Sequence, residues 1–218
     1  MTDLRLIVIT DAQLAAPRTV MAVVTAALEA GAPAIQLRDK DANARALLAQ
    51  ADALLPVVRE HGALLFINDR MDVALLAGAD GVHLGPDDLP VAAARRIAPP
   101  GFLIGHSTDD PRTAQLAERD GADYIGCGAV FGTSTKQDVG DERIGTAHLD
   151  RVARAVRIPV VGIGGITLEN VGQVGATAAR GVAVVGAVMA APDPAAATRD
   201  LLEGFDRVHG RHPVAVDE

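Results

Sequence analysis

Tryptophan is absent from the 218 residues, and one tyrosine and four phenylalanines leave an aromatic share of only 2%. A core built from this chain must therefore draw on Ala, Val, Leu and Ile, which the 49% hydrophobic content supplies. That mixture suits parallel strands buried on both faces beneath Ala-rich helices. A single cysteine, Cys127, excludes an intramolecular disulfide and fits a reducing compartment. Basic residues are in the minority: 20 Lys and Arg against 28 Asp and Glu give a net charge of −8, which argues against a broad nucleic-acid footprint. No apolar run approaches the roughly 20 residues that span a bilayer. Met1–Arg5 lacks the basic-then-apolar layout of a secretory signal. The expectation is a soluble, cytoplasmic chain with small-molecule ligands, no nucleic-acid partner and no membrane partner. A homo-oligomer is left open.

Missing too are linkers and low-complexity blocks. What recurs instead, about every 20 to 30 residues, is a short apolar run, a polar turn and a helix-period segment. The eight runs are Leu6–Thr10, Ala34–Leu37, Leu64–Ile67, Gly81–Leu84, Leu103–Gly105, Tyr124–Cys127, Pro159–Ile163 and Val182–Val185. Between them lie Ala- and Leu-rich stretches such as Val20–Glu29, Asn43–His61, Ala114–Arg119 and Leu149–Val156. Gly31, Gly78 and Gly121 follow three of the helical segments, where a left-handed C-cap is wanted. Repeated β-then-α units imply parallel strands, and eight of them imply a barrel. The chain, residues 1–218, is expected to be a single α/β domain, a (β/α)8 TIM barrel with a polar tail from about His209. An open doubly wound sheet would need a glycine-rich turn after the first strand, and Thr10-Asp11-Ala12-Gln13 is not one.

Ligands of such a barrel meet the C-terminal ends of its strands. After the second run, alternation places Gln36, Arg38 and Lys40 on one side; Arg38 can grip a phosphate bidentately and Lys40 offers a point charge. A solvated charge cluster is the plain alternative, and the position at a strand end speaks against it. Asn68-Asp69-Arg70 follows the third run and Gly85-Pro86-Asp87-Asp88 the fourth. Asp69 and Asp88, from neighbouring strands, supply the two carboxylates that a Mg2+ site uses alongside water and phosphate oxygens. Separately, Asp69 could instead pair with Arg70, and Asp88 could start a helix. Ser107 either binds phosphate or caps the next helix. His83 and His106, beside apolar runs, read as structural. Cys127, within an apolar run, reads as a buried thiol rather than a nucleophile. The long polar loop after the sixth run carries Thr133, Ser134, Thr135 and Lys136, groups that suit an anion and could close as a lid.

The last two runs end in glycine turns, Gly162-Ile163-Gly164-Gly165 and Val185-Gly186. Turns at these two strands are where a barrel of this kind builds a phosphate site, with backbone amides directed at the anion. No Ser-His-Asp order, zinc spacing or Walker loop is present. An isomerase or epimerase on the same scaffold would need a tuned strand-end acid and base, which does not stand out.

Gln36-Leu37-Arg38-Asp39-Lys40, Asn68-Asp69, Gly85 to Asp88, Thr133-Ser134-Thr135-Lys136 and Gly162 to Ile166 stand in the order and spacing of the thiamine-phosphate synthase family, which the chain resembles from about Leu6 to Phe205. The resemblance implies Mg2+-dependent coupling of 4-amino-2-methyl-5-hydroxymethylpyrimidine diphosphate with hydroxyethylthiazole phosphate, giving thiamine phosphate and pyrophosphate. It implies that Gln36, Arg38, Lys40, Asn68, Ser107 and Lys136 hold the pyrimidine diphosphate, with Arg38, Lys40 and Lys136 acting on the leaving group. It implies Mg2+ on Asp69 and Asp88. Thr133, Ser134 and Thr135, with Gly164, Gly165, Val185 and Gly186, would hold the thiazole phosphate. Pro86, Asp109 and Gly186 depart from the family's usual Gln, His and Ser. The related thiazole tautomerase lacks the carboxylate pair and carries histidine where this chain has Ala129. A non-catalytic phosphate-binding barrel is the alternative from another class.

Overall fold

A computed structural model describes residues 2–132 and 143–209. Eight strands, each four or five residues long, alternate with helices: β1 (Leu6–Ile9), α1 (Ala12–Ala15), α2 (Val20–Glu29), β2 (Ala34–Leu37), α3 (Ala44–Glu60), β3 (Leu64–Asn68), α4 (Met71–Ala77), β4 (Gly81–Leu84), α5 (Val91–Ile97), β5 (Leu103–Ser107), α6 (Pro111–Asp120), β6 (Tyr124–Cys127), α7 (Gly145–Ala155), β7 (Val160–Ile163), α8 (Val171–Gly175), β8 (Gly181–Val184), α9 (Gly186–Met189) and α10 (Pro194–His209). All strand pairs are parallel, and β1 pairs with β8 in the register Leu6↔Val182, closing a (β/α)8 TIM barrel in strict chain order. Every expected apolar run forms a strand.

Local signals explain the elements. Thr19, Asn43 and Asp110 cap α2, α3 and α6 with side-chain oxygens that accept backbone amides of the first turn. Gly78 and Gly121 end α4 and α6 in the left-handed conformation, at φ 69° and 100°, as the sequence pattern predicts. The layer between sheet and helices is the aliphatic core expected from composition, rich in Ala, Val, Leu and Ile.

The barrel interior differs from that expectation. It is organised around Phe66 and Tyr124, packed edge-to-face with ring centroids 5.3 Å apart. Ile7, Ile9, Ala34, Val161 and Ala183 surround them. Glycine makes the room. A Cβ on Gly81 would lie 2.8 Å from the Phe66 ring, and one on Gly105 would lie 2.2 Å from the Tyr124 ring. The chain's only tyrosine is thus a wedge of the interior, and low aromatic content does not mean an all-aliphatic core.

Candidate active site

The strands end in a cavity of about 610 Å3 whose wall includes Gln36, Arg38, Asn68, Ser107, Gly164, Gly165, Val185 and Gly186. Five strand ends far apart in sequence therefore contribute to one space. Pro86 and Asp109 share the wall, and Ile7, Ile9, Val161, Ile163 and Ala183 give it an apolar floor.

One edge is charged. Thr10, buried at the end of β1, accepts the Arg38 amide at 2.9 Å and donates to the Arg38 carbonyl at 3.2 Å, fixing that backbone. Asp39 turns away and accepts the amides of Asp41 and Ala42, with Gln50 donating to its other oxygen at 2.8 Å. Arg38 lines the cavity; Lys40 is exposed and does not line it, but acts on the nearby Asp69 carboxyl. Asp69 adopts φ 62°, a left-handed conformation uncommon outside glycine and easiest for Asp or Asn. Its amide donates to the His83 carbonyl at 2.8 Å, which joins the end of β3 to β4.

The carboxyl groups of Asp69 and Asp88 lie close enough for each to act on the other. Burial, then Asp88 by hydrogen bond and charge, raises the Asp69 carboxyl to about 6, while Lys40 and Arg38 pull it down. Both plain readings of these carboxylates fail. Arg70 pairs with Asp72 at 2.5 Å, and α5 begins at Val91, its N-cap position taken by Pro90 with no side-chain cap. Asp88 instead accepts the Gly85 amide at 2.7 Å, which folds it back over the end of β4.

A cation fits here on chemical grounds. Two carboxylates are held together against their mutual repulsion, with the cationic side chains of Lys40 and Arg38 acting on them. No cluster of three or more His, Cys, Asp or Glu exists among the described residues, so a closed structural zinc site does not form there. Two carboxylates suit Mg2+, which keeps water and takes phosphate oxygens as further ligands.

The cavity floor carries a polar chain that sequence reasoning missed. His83 Nδ1 lies 2.9 Å from the Tyr124 hydroxyl and Nε2 lies 2.8 Å from Ser107 Oγ. Gln36, only 3% exposed, lies beside the Tyr124 hydroxyl and acts to lower its pKa against the effect of burial. Asp110 caps α6, so Ser107 has no capping role. The register pairing Asn68↔His83 and His83↔Gly105 turns His83 inward. His106, one residue before Ser107, faces the other way and is half-buried. Its Nδ1 lacks a partner among the described residues, and burial lowers its pKa. Cys127 is fully buried, and burial followed by the charge of Asp109 raises its thiol to about 12, consistent with a structural role.

The opposite edge is backbone. Gly164 and Gly165 take φ 97° and 65°, and a Cβ on Gly165 would lie 2.6 Å from the Gly132 carbonyl oxygen, so only glycine fits. Asn170 staples this turn: it accepts the Thr167 amide and donates to the Gly165 carbonyl, both at 2.8 Å. Beside it, Val185 and Gly186 open α9, the short extra helix after the last strand, whose first amides have no intrahelical acceptor. Arg18 donates to the Met189 and Ala191 carbonyls at 3.0 and 2.6 Å, holding the far end of α9. Asn170 and Arg18 were invisible as site-shaping residues because each acts through a contact that only the fold creates. Thr133, Ser134, Thr135 and Lys136 lie outside the described residues.

A family model described as thiamine monophosphate synthase matches residues 6–188. The thiamine-phosphate synthase of Roseiflexus castenholzii is 52% identical over 196 residues, covering 90% of this chain and 86% of that protein. That of Pyrococcus horikoshii is 47% identical over 207 residues, covering 95% and 97%. Among solved structures, the thiamine phosphate pyrophosphorylase from Pyrococcus furiosus superposes with a TM-score of 0.86 at 42% identity, covering 95% of this chain and 98% of that one.

Proposed function

The chain belongs to the thiamine monophosphate synthase family, and from that premise we propose how its barrel mouth divides the work of coupling. The reaction is that of a thiamine-phosphate synthase, a transferase: the pyrimidine diphosphate and hydroxyethylthiazole phosphate become thiamine phosphate and pyrophosphate. The thiazole nitrogen forms the new bond to the pyrimidine's methylene carbon, the bond from that carbon to the diphosphate oxygen breaks, and pyrophosphate leaves with the electron pair.

One observation carries the division: a single cavity meets Arg38, which acts on the Asp69 carboxyl beside Asp88, at one edge and glycine turns at the other. On this reading the diphosphate lies at the charged edge. Arg38 and Lys40 stabilise the charge that develops as it departs, and Lys136 adds a third cation by family resemblance. Gln36, Asn68 and Ser107 orient the pyrimidine diphosphate. Asp69 and Asp88 would hold Mg2+, which when bound neutralises diphosphate oxygens. The phosphate that survives the reaction rests on the amides of Gly164, Gly165 and Gly186, against Val185, with Thr133, Ser134 and Thr135 as further donors. That anchor presents the thiazole nitrogen for attack, so positioning replaces a general base.

The described helices include none long and apolar enough to cross a membrane. A cytoplasmic location fits that and the lone thiol of Cys127. A thiazole tautomerase-like or non-catalytic barrel is not favoured, because neither gives the carboxylate pair and its cations a task. The test is pyrophosphate release by purified protein with Mg2+ and both precursors. Release that requires each of them supports the reading; a folded protein that forms no thiamine phosphate refutes it.

A further inference from the structure

We propose that Gln36, Tyr124, His83 and Ser107 form a one-way hydrogen-bond chain that presents the Ser107 hydroxyl proton to the anionic ligand, making Tyr124 and His83 positioning residues for the leaving diphosphate. The proposal rests on the placing of the diphosphate at the charged edge given above.

A neutral imidazole has one N–H and one lone-pair nitrogen. Both His83 nitrogens face hydroxyls, at 2.9 Å to Tyr124 and 2.8 Å to Ser107, so one must donate and the other accept. For the neutral ring two directions are open. In the outward direction, a Gln36 amide N–H donates to the phenol oxygen and the phenol O–H donates to His83 Nδ1. His83 Nε2–H then donates to Ser107 Oγ, leaving the Ser107 proton for the cavity. In the inward direction, Ser107 gives its proton to His83 and turns only lone pairs to the cavity.

The anion selects the outward direction. Ser107 lines the same cavity as Arg38, a setting for an anionic ligand. A phosphate oxygen facing a hydroxyl needs the hydroxyl's proton, since two sets of lone pairs repel. Burial holds the Tyr124 hydroxyl protonated, so it keeps a proton to give to His83 Nδ1. The chain is also fixed in place. A Cβ on Gly126 would lie 2.9 Å from His83 Cε1, and one on Gly105 would meet the Tyr124 ring, so both rings fill space that glycine leaves.

The test is 15N NMR of histidine-labelled protein at pH 8, where an ordinary imidazole is neutral, with the His83 signal assigned by its loss in His83→Gln. A proton on Nε2 is expected; a proton on Nδ1 overturns the chain. Tyr124→Phe keeps the ring and removes the proton that Nδ1 accepts. It should alter the His83 tautomer signal and weaken inhibition by pyrophosphate about tenfold, as should Ser107→Ala, the size of one hydrogen bond to a charged group. The KM for the thiazole phosphate should stay within about twofold. A folded Tyr124→Phe protein that binds pyrophosphate like the parent, while Ser107→Ala does not, overturns the coupling. If Ser107→Ala also binds pyrophosphate normally, the placing of the diphosphate falls, and an Nε2 proton still upholds the direction of the chain. The measurement on the parent protein stands even if a variant fails to fold.

Discussion

Asp69→Asn should stabilise the metal-free protein while abolishing its response to Mg2+. Asn is the informative substitution because it tolerates the φ of 62° at this position, whereas Ala would add backbone strain. Folding raises the Asp69 carboxyl from 3.8 to about 6, mainly by burial and then by Asp88. A group raised in this way contributes stability that is fully present below about 3.8 and lost as pH rises through about 6. Above that window the free protein holds an ionised carboxylate against Asp88. The gap corresponds to about 3 kcal/mol at full weight, and to about 1 kcal/mol after allowing for solvent screening of a half-exposed group. Asp69→Asn should therefore raise Tm by about 2–4 °C at pH 7.5 without metal, and by much less below pH 4. Mg2+ reverses the order, since it needs the ionised form. From a carboxyl at about 6, about 3% is protonated at pH 7.5 and about 90% at pH 5, so the apparent Mg2+ affinity should fall about tenfold between them. Thermal unfolding with and without Mg2+ at the two pH values reads all of this. A Mg2+-induced Tm shift of equal size in Asp69→Asn, or one that is flat from pH 7.5 to 5, would refute the reasoning.

Other expectations follow from the same contacts. Gly165→Ala, with its Cβ 2.6 Å from the Gly132 carbonyl oxygen, should raise KM for the thiazole phosphate at least tenfold and leave KM for the pyrimidine diphosphate nearly unchanged, as steady-state kinetics would show. Gly105→Ala forces a Cβ to 2.2 Å from Tyr124 and should cost about 1–3 kcal/mol, seen as a lower midpoint in urea unfolding. Arg18→Ala releases the carbonyls of Met189 and Ala191 and should speed amide exchange in α9 without changing exchange in β3 or β4. Cys127, buried with its thiol raised to about 12, should react with a thiol reagent at pH 8 only on unfolding.

Most strands were legible because they are short apolar runs that the fold buries on both faces, and the turns because Gly78 and Gly121 occupy left-handed positions that glycine favours. Asp69 and Asp88 were legible as a pair because consecutive parallel strands put their C-terminal ends side by side. Less was visible where function depends on register. His83 looked like a lone histidine beside an apolar run, and only the pairing of β4 with β3 and β5 turns it inward beside Ser107 and Tyr124. Thr10, Arg18 and Asn170 were silent for a related reason. Each shapes the site by holding backbone, and a side chain that binds backbone leaves no residue-type signature in its target. Tyr124 shows how composition misleads: one aromatic residue, placed where Gly105 opens space, organises a barrel interior expected to be aliphatic.

If the two phosphates sit at opposite edges of one cavity, with Asp69 and Asp88 beside the one that leaves, a metal ion held by that pair lies much nearer to one of them than to the other. Mn2+ in place of Mg2+ gives a direct reading, because a paramagnetic ion broadens nearby 31P resonances steeply with distance. In the complex with both products, the pyrophosphate signals should broaden far more than that of thiamine phosphate, and Asp69→Asn should remove the effect. Equal broadening of the two, or stronger broadening of thiamine phosphate, would contradict the account.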